Sequence, residues 1–213
     1  MFRDLSQPIR SGIQTFPGDP PVDVSPAATI DDDGYRVSAL ACGTHSGTHV
    51  DAPSHTEPAG STLDEHDVGR FVFDARVVDC TGRPPRAPIG PDALPGDDAG
   101  DLLVVRTGWD DHWGTDHYLD HPYLTAAAAD RCVRAGWSVG VDALNPDPTP
   151  SPNATDDEPD GFPVHGRLLG AERFILENLT NLAGLDRFRL YAVPLPIEGA
   201  DGSPVRAVAA LDS

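Results

Sequence analysis

A chain of 213 residues with 39% hydrophobic residues can bury one sizeable core without a disulfide framework. Its 21 Gly and 22 Pro, about a fifth of all residues, exclude a helical bundle or coiled coil, because both break helices. The formal charge of −19, built from 28 Asp, 6 Glu and 15 Arg with no Lys, repels nucleic acid and anionic lipid and excludes them as partners.

Turn residues crowd positions 14–21, so the chain is expected to open on a loop. A strand is expected over 22–30, a turn at 31–34 and an alternating second strand over 35–42. Residues 43–58 read as a loop holding three histidines. Strands follow at 75–80 and at 102–105, the latter an unbroken apolar run of the kind buried on both faces. Residues 123–135 are the best helix, with Thr125 as N-cap and Gly136 as stop. Residues 138–142 form another buried strand. The Pro- and Asp-rich stretch 145–160 reads as an exposed excursion that packs nothing. A short helix over 164–171 follows Pro163, and strands are expected at 173–176, 188–193 and 205–210. Strands alternating with a few helices give an α/β class, a single domain over 1–213 with a mixed β-sheet and flanking helices.

No window approaches the apolar length of a transmembrane helix, and residues 1–12 lack a signal-peptide core; a cytoplasmic protein with no membrane partner is expected. Cys42, Cys80 and Cys132 are odd in number and irregular in spacing, as buried thiols of a reducing compartment would be. The Lys-free, Asp-rich surface points to a halophilic cytoplasm, where ionic strength screens self-repulsion; a GC-rich genome is the alternative source of the Arg bias.

The chemistry concentrates in His45-Ser46-Gly47-Thr48-His49-Val50-Asp51-Ala52-Pro53-Ser54-His55. Gly47 and Pro53 argue against a regular helix, but a loop can wrap imidazoles and a carboxylate around one point. Imidazole with carboxylate suits zinc, manganese or iron(II), and the lack of thiolates argues against a closed structural site. The alternative is an exposed polar loop in which Thr48 and Asp51 only cap turns. His165 and Glu177 are further candidates: His165 is either a ligand or a surface residue at a helix start, and Glu177 either a ligand or a solvated strand end. The segment 110–121, with His112, His117 and His121, is rich in ligand types but loosely spaced, and reads as a surface or pocket-rim loop. His66 lies among acids and is expected to be solvated. No GxSxG, GxGxxG or phosphate loop is present.

The motif, together with Phe16-Pro17-Gly18-Asp19, Arg106-Thr107-Gly108-Trp109, Gly140-Val141-Asp142 and Glu198-Gly199-Ala200-Asp201-Gly202-Ser203-Pro204-Val205-Arg206, resembles the cyclase-like metal-dependent hydrolase family that includes bacterial kynurenine formamidase and isatin hydrolase. The resemblance runs in family order over nearly the whole chain. It implies a swivelling β/β/α fold and an amide hydrolase. The first activity implied is that of an arylformamidase, converting N-formylkynurenine to kynurenine and formate in tryptophan catabolism. Opening of a cyclic amide such as isatin, or an inactive metal- or ligand-binding protein, are the alternatives.

The resemblance also implies two divalent metal ions, zinc or manganese. His45, His49 and Asp51 would hold the first and His165 the second, with Asp51 and Glu177 touching both. It implies a catalytic role for His55, substrate binding at Phe16, where the formamidases carry Trp, and a homodimer or homotetramer. Cations so placed would polarise a carbonyl and lower the pKa of water.

Overall fold

A computed structural model describes residues 1–96 and 100–211. The chain runs β1 (Phe2–Asp4), β2 (Asp23–Ala28), α1 (Ile30–Asp33), β3 (Val37–Ala41), β4 (His49–Asp51), β5 (Val72–Asp79) and β6 (Pro88–Ile89). It continues through β7 (Leu102–Arg106), β8 (Tyr123–Leu124), α2 (Ala126–Ala135), β9 (Ser138–Val141), α3 (Pro163–Leu169) and β10 (Ile175–Glu177). The last strands are β11 (Arg187–Tyr191), β12 (Gly202–Pro204) and β13 (Val208–Ala210).

Nine strands make one mixed sheet in the order β1-β13-β11-β5-β7-β9-β10-β4-β12. Its parallel pairs are β5 with β7, β7 with β9, and β9 with β10. The apolar run of β7 explains its central place. Leu103 and Val105 enter one core with the helices, while Leu102 and Val104 enter a second core on the other face. The two-residue period of a strand thus feeds both layers. The first core holds Ala128, Ala129 and Cys132 of α2 and Val164, Leu168 and Leu169 of α3. The second gathers Val50, Phe73, Leu176, Leu190 and Ala209 from strands far apart in sheet order, because the sheet curls. A bridge between Ser6 and Leu179 ties the segment after β1 to the segment after β10.

This is the mixed-sheet α/β architecture the pattern implies. Its differences from the sequence expectations have local causes. The helix expected over 123–135 starts only at Ala126. Thr125 caps it by accepting from the Ala128 amide, and Gly136 ends it at φ 82, while Tyr123 and Leu124 are drawn into pairing with β6. The turn expected at 31–34 closes as one helical turn, because the Thr29 side chain accepts from the Asp32 amide. The supposed loop 43–58 contains β4, a strand in the main sheet only three residues long. His66 is only partly solvated: its ring packs edge-on against Phe174 and Nε2 meets Ser61 Oγ at 2.8 Å.

The largest correction concerns 145–160. Asn145, Asp147 and Thr149 are buried. The excursion is held by Arg86, whose guanidinium pairs with Glu158 and donates to the Thr149 carbonyl at 3.1 Å. Among the described residues, no helix is long and apolar enough to cross a membrane.

Candidate active site

The strand β4 sets the geometry. It pairs antiparallel with β10, placing Glu177 opposite His49 and Ile175 opposite Asp51. Alternation puts His49, Asp51 and Glu177 on one side, while Val50 and Leu176 face the second core. Gly47, at φ +65, makes the turn into this strand, in a conformation that L side chains rarely adopt. Its carbonyl accepts from His49 Nδ1 at 2.9 Å and from Asn178 Nδ2 at 2.9 Å, leaving His49 Nε2 to face the carboxylates.

His165 arrives on α3, brought over the sheet by packing of Val164 and Leu168. Asp147 fixes it: its carboxylate accepts from the Val164 amide at 2.8 Å, the His165 amide at 3.0 Å and His165 Nδ1 at 2.8 Å. His165 Nε2 then lies 3.4 Å from Glu177 Oε1 and 3.7 Å from Asp51 Oδ2. His49 Nε2 lies 3.2 Å from Asp51 Oδ1 and 3.3 Å from Glu177 Oε2. His45 Nδ1 meets Asp51 Oδ1 at 2.7 Å. The structure therefore brings together His45, His49, Asp51, His165 and Glu177. Thr48, Asp51, His165 and Glu177 are all buried, so the motif is not a solvated capping loop and neither His165 nor Glu177 is a surface residue.

The electrostatics are those of a mutually compensated cluster. Burial disfavours the charge on His49, but the facing Asp51 carboxylate raises it well above its ordinary range. Burial opposes His165 in the same way, and its bond to Asp147 raises it. His45 is raised to about 9 against burial by hydrogen bonds to Asp201 and Asp51. Asp51 is held well below the usual carboxylate range, against burial, by the charge of His49.

Three buried atoms here, His49 Nε2, Asp51 Oδ2 and Glu177 Oε1, have no hydrogen-bond partner. Buried polar groups are normally satisfied, and unpaired ones cost free energy. Orphaned ligand atoms on both sides of the Asp51 and Glu177 carboxylates, with His49 Nε2 facing one oxygen of each and His165 Nε2 facing the other, are the mark of a cation site. Three ligand sets emerge among the described residues, His45 with His49 and Asp51, Asp51 with His165 and Glu177, and the more exposed His45 with His55 and Asp201, each with ligand atoms within 4.8 Å of one another; the orphaned atoms belong to the first two. Nitrogen and oxygen donors without thiolate fit a divalent zinc, manganese or iron ion.

His55 lies on the short turn after β4, stacked on His45 with ring centroids 4.0 Å apart. Burial lowers its pKa, favouring the neutral imidazole. The cleft above the cluster, about 200 Å³, is lined by His55 together with Phe16 and Phe162, and by Asp19, Leu144 and Asn145. The Phe16 and Phe162 rings are 5.9 Å apart, forming an apolar wall suited to a flat ring. The histidines of 110–121 lie elsewhere: His112 and His117 pack around Trp109, and His121 is buried against Thr149. Cys42 belongs to none of the ligand sets and lies half-buried; Cys80 and Cys132 are buried.

Three residues here escape sequence reasoning. Asp147 orients His165. Asn178, at φ 57, follows Glu177 and ties it to the motif by accepting a 2.6 Å bond from Thr48 Oγ1 at its carbonyl. Asp201 bonds to both His45 and His55. No sequence signal separates Asp147 from the other acids of its stretch; Asp201 lies in the Glu198–Arg206 segment that carries the resemblance, but nothing there assigns it to His45 or His55.

Residues 3–148 match the model of a family described as putative cyclase. The chain is 35% identical over 213 residues to a kynurenine formamidase of Salinibacter ruber, covering 96% of this chain and 95% of the relative. It is 33% identical to a kynurenine formamidase of Paracidovorax citrulli, covering 98% and 95%. Among solved structures, isatin hydrolase A from Ralstonia solanacearum superposes with a TM-score of 0.86 at 26% identity, covering 98% of this chain and 91% of that one. An isatin hydrolase bound to the product analogue thioisatinate gives 0.85 at 27%, covering 100% and 92%.

Proposed function

The chain belongs to the putative cyclase family, and from that premise we propose that it is an arylformamidase that hydrolyses N-formylkynurenine to kynurenine and formate. It is a metal-dependent hydrolase of carbon–nitrogen amide bonds. The observation that carries the finer reading is the set of orphaned ligand atoms lying beneath a cleft walled by Phe16 and Phe162. That cleft admits a flat aryl amide and brings its carbonyl to the ligand cluster.

Two divalent ions, zinc or manganese, would be held by His45, His49 and Asp51 and by Asp51, His165 and Glu177. When bound, they supply polarisation of the carbonyl and a lowered pKa for water. The chain's own residues do the rest. Phe16 and Phe162 hold the aryl ring and keep water from its faces. Water, having given one proton to solvent, adds to the formyl carbon as hydroxide; His55 Nε2 takes the hydroxyl proton of the adduct and delivers it to the aniline nitrogen as the C–N bond breaks. Formate and the free amine leave. General acid help of this kind is worth about 10²–10⁴-fold.

The superposition on isatin hydrolases favours a second reading, opening of a cyclic aryl amide by the same atoms. Specificity constants for N-formylkynurenine and isatin, measured with added zinc or manganese in molar salt, separate the two. A higher constant for N-formylkynurenine supports the first reading, and a higher one for isatin replaces it with the second.

The setting we propose is a salt-rich cytoplasm, supported by the charge of −19. The partners are a small amide substrate and a second copy of the chain. Self-association is supported by β3, which carries no charge and exposes Val37 and Leu40 on a two-stranded ribbon outside the main sheet. Light scattering on the eluted protein would show twice the chain mass or more; a monomer would refute it.

A further inference from the structure

We propose that Asp201 is a positioning residue, whose carboxylate sets the tautomer and ring orientation of His55. The inference rests on the reading of His55 as the proton donor to the leaving amine. One oxygen of Asp201, Oδ2, lies 3.3 Å from His55 Nδ1 and 3.1 Å from His45 Nε2. The other, Oδ1, accepts from Thr44 Oγ1 at 3.1 Å. An ionised carboxylate only accepts hydrogen bonds. His55 must therefore carry its N–H on Nδ1, which leaves Nε2 to receive or deliver the working proton. Nε2 has no hydrogen-bond partner among the described residues, and His55 borders the cleft.

The backbone makes Asp201 a fixed point. The Ala52 amide donates to the Asp201 carbonyl at 2.8 Å, and the Leu63 amide donates to the Ala200 carbonyl at 2.9 Å. Gly202 pairs with Asp51 across β12 and β4. A Cβ at Gly202 would stand 2.5 Å from His45 Cε1, so only glycine lets this strand approach the ring closely enough for Asp201 to reach it. The segment 200–202 is thus sewn to both sides of the motif, and its single acid meets two imidazoles stacked 4.0 Å apart.

A buried aspartate behind a catalytic histidine can be worth about 10⁴-fold in kcat. The side chain of Asp201 is 44% exposed, so water can replace part of its function. The effect expected is that of an outer partner of a working histidine, about 10–100-fold.

The test uses Asp201→Ala and, to keep the shape of the side chain, Asp201→Asn. Both should retain the metal content of the unaltered protein. On an aryl formamide, kcat should fall about 10–100-fold in Asp201→Ala with little change in KM. On an aryl formate ester with a good leaving group, which departs without a proton, the loss should disappear. Added to His55→Ala, Asp201→Ala should cost nothing further, because both act on one proton transfer. Nitrogen-15 spectra of the imidazoles give a readout needing neither metal nor substrate: His55 should be the Nδ1–H tautomer in the unaltered protein and lose it in Asp201→Ala. Because the spectra do not depend on turnover, a wrong substrate assignment leaves the tautomer readable. Loss of a metal equivalent in both variants would make Asp201 a ligand and overturn the proposal. An equal rate loss on the ester, additivity with His55→Ala, or an unchanged tautomer would overturn it as well.

Discussion

Two turn-rich stretches build the site in opposite ways. Residues 45–55 place three candidate ligands within seven positions, because a short strand and a tight turn at Gly47 put His45, His49 and Asp51 on one side. Residues 145–165 contribute a single candidate ligand, His165, and reach it through Asp147, which caps α3 and grips the imidazole. The first stretch works by local spacing. The second works by burying one carboxylate within a segment that is otherwise mostly exposed. Composition describes the average of such a segment, and one inward-pointing aspartate contradicts that average without changing it.

Substitutions distinguish the two kinds of construction. The largest effect is expected in the strand: Glu177→Ala or His49→Ala removes a ligand held by the β4–β10 register, so metal content should fall and turnover drop to background. Elemental analysis per chain beside the rate checks this. His55→Ala should keep its metal and lose about 10²–10⁴-fold in kcat, measured by single turnover; loss of metal with the rate would make His55 a ligand. Asp147→Ala leaves His165 in place but unheld, with Nδ1 and two helix amides unpartnered, so metal affinity should weaken about 10–100-fold. Competition with a chelator reads that shift, and an unchanged affinity would mean that α3 alone positions the ring.

The excursion also has its own pH signature. His121 accepts from Thr149 Oγ1 and donates to the Pro122 carbonyl, and burial lowers its pKa from 6.5 to about 4. The folded state thus favours the neutral ring, while the unfolded chain takes up a proton below 6.5. The stability contributed is complete above pH 6.5 and is lost as pH falls toward 4, about 3 kcal/mol in all. Melting curves of the unaltered protein and His121→Gln should converge over that window; a constant gap would contradict the assignment. The smallest effect is salt. Screening of a −19 charge should raise the melting temperature from dilute to molar salt, and equal stability in both would leave only genome composition behind the Lys-free surface.

How much was legible follows the same division. The motif is legible because its chemistry is contiguous and Gly47 and Pro53 forbid a regular helix. β7 and β9 are legible because unbroken apolar runs mark strands covered on both faces. β4 is not, since three residues inside a Gly- and Pro-flanked motif carry no strand period of their own; pairing with β10 and β12 makes them a strand. Asp201 meets His45 and His55 across 156 and 146 positions of sequence, a separation no local pattern encodes. Arg86 and Glu158, 72 positions apart, fasten the excursion by the same kind of long-range pairing.

The measurement closest to the central claim is turnover of N-formylkynurenine by protein stripped with a chelator and then resupplied with zinc or manganese. The account predicts that formate release stops on stripping, returns on addition of metal to the unaltered protein, and fails to return in Glu177→Ala. Undiminished turnover after complete removal of metal would contradict it.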